Sequence, residues 1–209
     1  QGIPVITLDS GVNSEDPISF VATDNIEAGR KAGAEMARLL EDHPAKVVAI
    51  VSHIRETATA IEREAGVREA LEGIPIAGTW FCDVDQLKAY RITQDLLRRP
   101  EIGGIVALNE VATLGVADAV HDDEASERVL VVGFDNAQKE LMYLEMGVIK
   151  ATVVQRPFDM GYFSVKTAHE YLSGEEIPTR INTGSLLVTA ENMFEPGYQE
   201  ILFPFNEAE

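Results

Sequence analysis

The chain has 209 residues, 45% of them hydrophobic, which suits one large domain or two small ones with a real core. Its 17 basic and 35 acidic residues give a net charge of −18, so nucleic acid and anionic membrane are repelled and a neutral or cationic ligand is favoured. No apolar run is long enough to span a bilayer, and the single cysteine, Cys82, excludes a disulfide within the chain and reads as a small core thiol.

The chain opens without a methionine and without a basic-then-apolar leader, almost directly on a strand at Ile3–Leu8, as expected of a processed chain or a fragment. A shorter strand follows at Ile18–Ala22. Thr23 and Asp24 can cap the helix Ile26–Leu40, in which Ala28, Gly29, Ala32 and Gly33 allow close packing. After Pro44 come a strand at Lys46–Ser52, a loop at His53–Thr57 and a helix at Ala58–Leu71 with Arg63 near its start. The strand Ile74–Phe81 leads to Asp85, which can cap the helix Gln86–Arg98, and Pro100 stops that helix.

The stretch Ile102–Asn136 organises the rest. Its two apolar runs, Ile102–Leu108 and Val129–Phe134, flank an alanine-rich helical segment, as in a β-α-β unit with adjacent parallel strands. Their polar ends, Asn109 and Asp135, fall at the carboxyl edge, where ligands sit in open α/β sheets. Beyond Asp135 the pattern gives a helix at Gln138–Glu145, a strand at Val148–Val154 ending at Gln155, and a helix at Pro157–Leu172 with proline in its first turn. Gly174 ends that helix, and a last strand, Gly184–Thr189, leads into the tail Phe194–Phe205. Strand and helix alternate throughout, so the expected fold is α/β, a doubly wound parallel sheet with helices on both faces.

Six stretches, taken in order, resemble a known family: Gly2-Ile-Pro-Val-Ile-Thr-Leu-Asp9, Thr23-Asp-Asn-Ile-Glu-Ala-Gly29, Glu62-Arg63 with Gly66, Ala107-Leu-Asn109, Val131-Val-Gly-Phe-Asp135 and Ala151-Thr-Val-Val-Gln-Arg-Pro157. They stand in the order and spacing of type I periplasmic sugar-binding proteins, in particular the ribose-binding branch, whose fold is shared with LacI-type repressor effector domains. In that family the strand resembling Ile3–Leu8 is preceded by several βα units. The resemblance therefore implies mainly a carboxy-terminal lobe, residues 24–155. Residues 1–23 and 156–180 would be remnants of the amino-terminal lobe, and 181–209 a return to the carboxy-terminal lobe and its tail.

A sugar site needs planar Asp, Asn, Gln and Arg groups that each make two hydrogen bonds, with aromatic faces over C–H surface. Asp9, Asn109, Asp135 and Gln155 lie at carboxyl ends of predicted strands, and Arg63 lies early in the helix after one. The resemblance assigns these five to sugar-contacting positions, and Phe134 joins them either by stacking on ligand or by packing in the core or hinge. Ser10 and Val84 depart from the branch, which has an arginine and an aromatic ring there; both changes point away from ribose itself and toward another small polar ligand. Taken singly, Asn109 and Asp135 are equally helix caps, Arg63 a surface ion pair with Glu62 or Glu64, and Gln155 a partner for loop backbone.

Catalysis has little support. The four histidines show no metal-ligand spacing with one another or with Cys82, no nucleophile elbow occurs, and Gly103-Gly104 opens a strand rather than a phosphate loop. The expectation is a non-enzymatic protein without cofactor. Its function by resemblance is the substrate-binding component of a sugar ABC transporter, taking a monosaccharide between two lobes and meeting a membrane permease, periplasmic or held at the outer face of a membrane. The alternatives are an effector domain of a LacI-type regulator, which would need a helix-turn-helix, and an extracytoplasmic sugar sensor; the tail favours the transporter. With one lobe incomplete, the chain is expected to bind sugar weakly, to leave strand Ile3–Leu8 without neighbours, and to expose Phe158, Tyr162, Val165 and Leu172. A homodimer would then cover these segments.

Overall fold

The computed structural model describes residues 2–203. Its elements in order are β1 (Ile6–Leu8), β2 (Ser19–Ala22), α1 (Asn25–Leu39), β3 (Val47–Ser52), α2 (Ala58–Ala70), β4 (Ile76–Phe81), α3 (Gln86–Leu97) and β5 (Ile102–Ala107). Then follow α4 (Glu110–Asp122), β6 (Leu130–Phe134), α5 (Gln138–Glu145), β7 (Ala151–Gln155), α6 (Pro157–Leu172), β8 (Arg180–Asn182), β9 (Ser185–Thr189) and α7 (Pro196–Leu202). The chain divides into two compact units, Gln1–Asp24 with Gln155–Ser185, and Asn25–Val154 with Leu186–Glu209.

The larger unit is built on a sheet of order β4-β3-β5-β6-β7-β9, in which β4, β3, β5, β6 and β7 pair in parallel. Consecutive side chains of a strand point to opposite faces, and here both faces are dry. Ala49, Val51, Ile105, Ala107 and Val131 join one core with Ala89 and Leu96 of α3, Val116 of α4 and Leu144 of α5. Val48, Ile50, Val106, Val132 and Phe134 join the other with Ala28 and Met36 of α1 and Val67 of α2. This is the α/β fold with helices on both faces that the apolar runs predicted. Cys82 lies in the first core, and burial pushes its thiol pKa up.

Glycine decides how α1 meets α2. A methyl group at Gly66 would lie 2.0 Å from the carbonyl oxygen of Ile26, and one at Gly29 would lie 2.2 Å from that of Arg63. The two helix backbones therefore touch directly, and the place of Arg63 along α2 is fixed by that contact.

In the smaller unit β1, β2 and β8 form a parallel sheet of order β1-β2-β8, against which α6 packs. Strand β1 is thus paired with β2 through Ile6, Thr7 and Leu8, contrary to the expectation that it would have no neighbour; β2 supplies one by lying alongside it in register. Only its other edge is open.

Three local expectations change. The strand predicted from Val148 begins at Ala151, because Gly147 takes φ +73 and a bend carries the chain through 148–150. Strand β8 has too few apolar residues to stand out in sequence, and its place comes from pairing with Phe20, Val21 and Ala22. Within the tail, to which the sequence reading assigns no element, Pro196 opens the helix α7 at a position where its missing N–H costs nothing. Pro204 and Phe205 of that tail lie outside the described residues.

Candidate functional site

The strands β3, β5 and β6 each lead into a polar residue, and the Leu108 carbonyl after β5 and the Phe134 ring at the end of β6 both meet the guanidinium of Arg63. Arg63 is 3% exposed, on the first turns of α2. Its Nε donates to Asn25 Oδ1 at 2.9 Å, its Nη1 donates to the Leu108 carbonyl at 2.8 Å, and its guanidinium lies 4.6 Å from the centre of the Phe134 ring. The surface ion pair with Glu62 or Glu64 is excluded: Arg63 is buried, and Glu64 pairs with Arg68 at 2.8 Å. A guanidinium so placed gives up most of its hydration and is repaid by charged hydrogen bonds and the aromatic face.

Phe134 is wholly buried, so its ring backs Arg63 from the core side. One residue on, Asp135 takes a left-handed backbone, φ +78, which Asp tolerates better than most residues. Its N–H donates to the Val153 carbonyl at 2.9 Å and its own carbonyl accepts from Thr152 Oγ1 at 2.8 Å. Its carboxylate accepts the Glu110 N–H at 3.0 Å, across the first turn of α4. Asn109 caps the same helix, its Oδ1 accepting the Ala112 N–H at 3.1 Å, and it stays half-buried. Cap and site are compatible here, because the cap uses the amide oxygen and leaves the NH₂ donors to point elsewhere.

Two titratable groups complete this end of the unit, and neither was singled out by sequence. His53 follows β3 directly and is 8% exposed. Its Nε2 lies 3.0 Å from the hydroxyls of both Thr57 and Thr59, while Nδ1 has no hydrogen-bond partner among the described residues. Burial, with Arg63 adding to it, lowers its pKa against the opposing pull of Asp135, so the ring is neutral near pH 7. Glu140 is fully buried in α5; burial and then the charge of Asp135 push its pKa up to about 10. Neither has a motif. Their signal lies in burial, which periodicity does not report for a polar residue.

In the smaller unit Asp9 follows β1 with φ +65, exposed, its N–H bonded to the Val21 carbonyl at 2.9 Å. Gln155 is the last residue of β7 and half-buried. In the larger unit Val84, where the family resemblance expects a ring, is exposed and left-handed at φ +58.

Residues 1–176 match the family model described as periplasmic binding protein domain. The chain belongs to the periplasmic binding protein family. Among relatives of this family, the ribose import binding protein RbsB of Haemophilus influenzae is 34% identical over 182 residues, 86% of this chain and 61% of the relative. The D-allose-binding periplasmic protein of Escherichia coli is 30% identical over 190 residues, 85% of this chain and 61% of that protein. The chain thus spans about three-fifths of the length of these curated relatives. Among solved periplasmic binding proteins, an ABC transporter solute binding protein from Agrobacterium vitis, bound with α-D-tagatopyranose, superposes with a TM-score of 0.89. It is 28% identical and covers 100% of this chain and 72% of its own. One from Agrobacterium radiobacter, in complex with D-arabinose, gives 0.90 at 30% identity, over 96% and 70%. The parallel α/β architecture is accordingly that of the type I periplasmic binding protein fold.

Proposed function

We propose that this chain is part of the substrate-binding component of a sugar ABC transporter, acting outside the cytoplasm, and that Arg63, Asn109 and Asp135 contact a monosaccharide. Phe134 supports Arg63 from behind. The observation that carries the reading is Arg63, the one buried arginine among the described residues, desolvated over Phe134 and flanked by the ends of β5 and β6. A charged fork beside an amide and a carboxylate suits vicinal hydroxyls, which both donate and accept. The reading extends to Asp9 and Gln155, the polar groups at the ends of β1 and β7, and to a membrane permease as the partner that receives the sugar. Relatives named for ribose and allose, and solved structures holding arabinose and tagatose, support a pentose or hexose.

Titration calorimetry with D-ribose, D-allose, D-arabinose and D-tagatose tests this. At least one is expected to bind with a dissociation constant of about 1 mM, corresponding to about −4 kcal/mol, and Asp135→Asn is expected to weaken it about tenfold or more. Asn is the right replacement because it also tolerates the left-handed backbone. No heat with any of the four sugars, or identical affinity in the variant, would overturn the reading.

The smaller unit supports a second part of the proposal, that the chain forms a homodimer. Phe158, Tyr162, Val165 and Leu172 of α6 are 56–76% exposed, and an apolar groove of about 450 Å³ runs between Ile3, Ile6 and Ile18 on one side and Val165, Ala168 and Leu172 on the other. An exposed apolar stripe of this kind beside an open strand edge is covered at low cost by a second copy. Light scattering is expected to give twice the chain mass, and Val165→Lys to halve it. A monomer at high concentration would remove this part alone.

A further inference from the structure

We infer that Glu140 is a positioning residue for Asp135, a fully buried carboxyl group that holds the 135–137 turn from the core side through the Ala137 N–H. The inference rests on the reading of Asp135 as a sugar contact. Glu140 lies in the first turn of α5 and is 0% exposed. Its Oε2 accepts the N–H of Ala137 at 3.1 Å, and Ala137 has no side chain that could return the bond, so Glu140 supplies the side-chain cap at the start of the helix beside the backbone bond from Leu141 to the Ala137 carbonyl. Its Oε1 is buried with no hydrogen-bond partner among the described residues.

The charges around Glu140 forbid a second anion. Asp135 faces it from the end of β6 and Glu110 from the start of α4, both negative. On its own helix Lys139 and Tyr143 turn to Asp118, each at 2.6 Å, and among the described residues no ion pair includes Glu140. Asp135 is held on its other sides by Val153, Thr152 and the Glu110 N–H. Glu140 bears on the same turn through its bond to the Ala137 N–H. A charge there would press directly on the carboxylate that is to accept sugar hydroxyls, and a proton removes it.

Carbon-detected NMR of the side-chain carboxyls tests this without any ligand. The Glu140 carboxyl carbon is expected to show the protonated shift at pH 7 and to titrate near pH 10, and the Asp135 carboxyl carbon to move with it in the parent but not in Glu140→Gln. An ordinary carboxylate titration of Glu140, or an Asp135 carbon indifferent to it, would overturn the inference. A second arm uses D-ribose affinity. Glu140→Gln is expected to bind within about twofold of the parent and with a flat profile up to pH 10, whereas the parent weakens as pH approaches 10 and Glu140→Ala is weaker by about tenfold at every pH. A parent profile that matches that of Glu140→Gln would count against the role. If the parent binds none of the sugars, the functional reading fails, and the carboxyl titration still decides whether Glu140 governs Asp135.

Discussion

Arg63→Ala is expected to lower stability by about 2–4 kcal/mol and to abolish measurable sugar binding. The guanidinium is buried, so its loss leaves the Leu108 carbonyl without that donor, removes the charged bond to Asn25 and opens a cavity over Phe134. A buried hydrogen bond to a charged group contributes about 1.5–3 kcal/mol, and a cation over an aromatic ring about 1–2 kcal/mol when desolvated. For a chain of this size that lowers the melting temperature by about 10 °C, readable by calorimetry. Arg63→Lys keeps the charge but not the fork, and is expected to fall between the two. An unchanged melting temperature in the alanine variant would refute the packing role. A folded variant with full affinity would refute the ligand role.

Glu140→Gln is expected to stabilise the chain at neutral pH, by an amount that depends on pH in a definite sense. In the unfolded chain the carboxyl loses its proton near pH 4.5, while in the folded chain it keeps it to about pH 10. Between those values the folded state holds one more proton than the unfolded state. Stability therefore falls as pH rises, with the full contribution present below pH 4.5 and lost progressively toward pH 10. At pH 7 the parent has given up about 3 kcal/mol by this route, at about 1.4 kcal/mol per pH unit. Glutamine donates and accepts at the same place without titrating. Urea unfolding at pH 4 and pH 8 is expected to show near-equal stability at the first and a clear gain for the variant at the second. A gain independent of pH would show that packing, not ionisation, separates the two side chains.

The strands and helices of the larger unit were legible because both faces of its sheet are dry. The runs Ile102–Leu108 and Val129–Phe134 read as continuous apolar segments, and each is followed by a residue whose side chain is needed at a helix start or a loop. Asn109 and Asp135 stood out for that reason, and Asn109 is indeed the cap of α4. What sequence could not show was depth. Arg63, His53 and Glu140 look like surface residues in a helix or loop, and only tertiary packing places them at 3%, 8% and 0% exposure. β8 and α7 were missed because a three-residue strand and a seven-residue helix carry too little periodicity; their positions follow from pairing and from a proline start.

The glycine contact between α1 and α2 bears on how quickly and how tightly a ligand can be held. Because Gly29 lets the Arg63 carbonyl press against α1, and Asn25 of that same helix grips the guanidinium, both ends of the arginine are immobilised before any sugar arrives. A long, rotamer-rich side chain that had to be ordered on association would cost about 0.5–1.5 kcal/mol in lost entropy. Here that ordering is completed during folding, so on the proposed reading the arginine presents a rigid fixture to a sugar, and binding there carries no such cost.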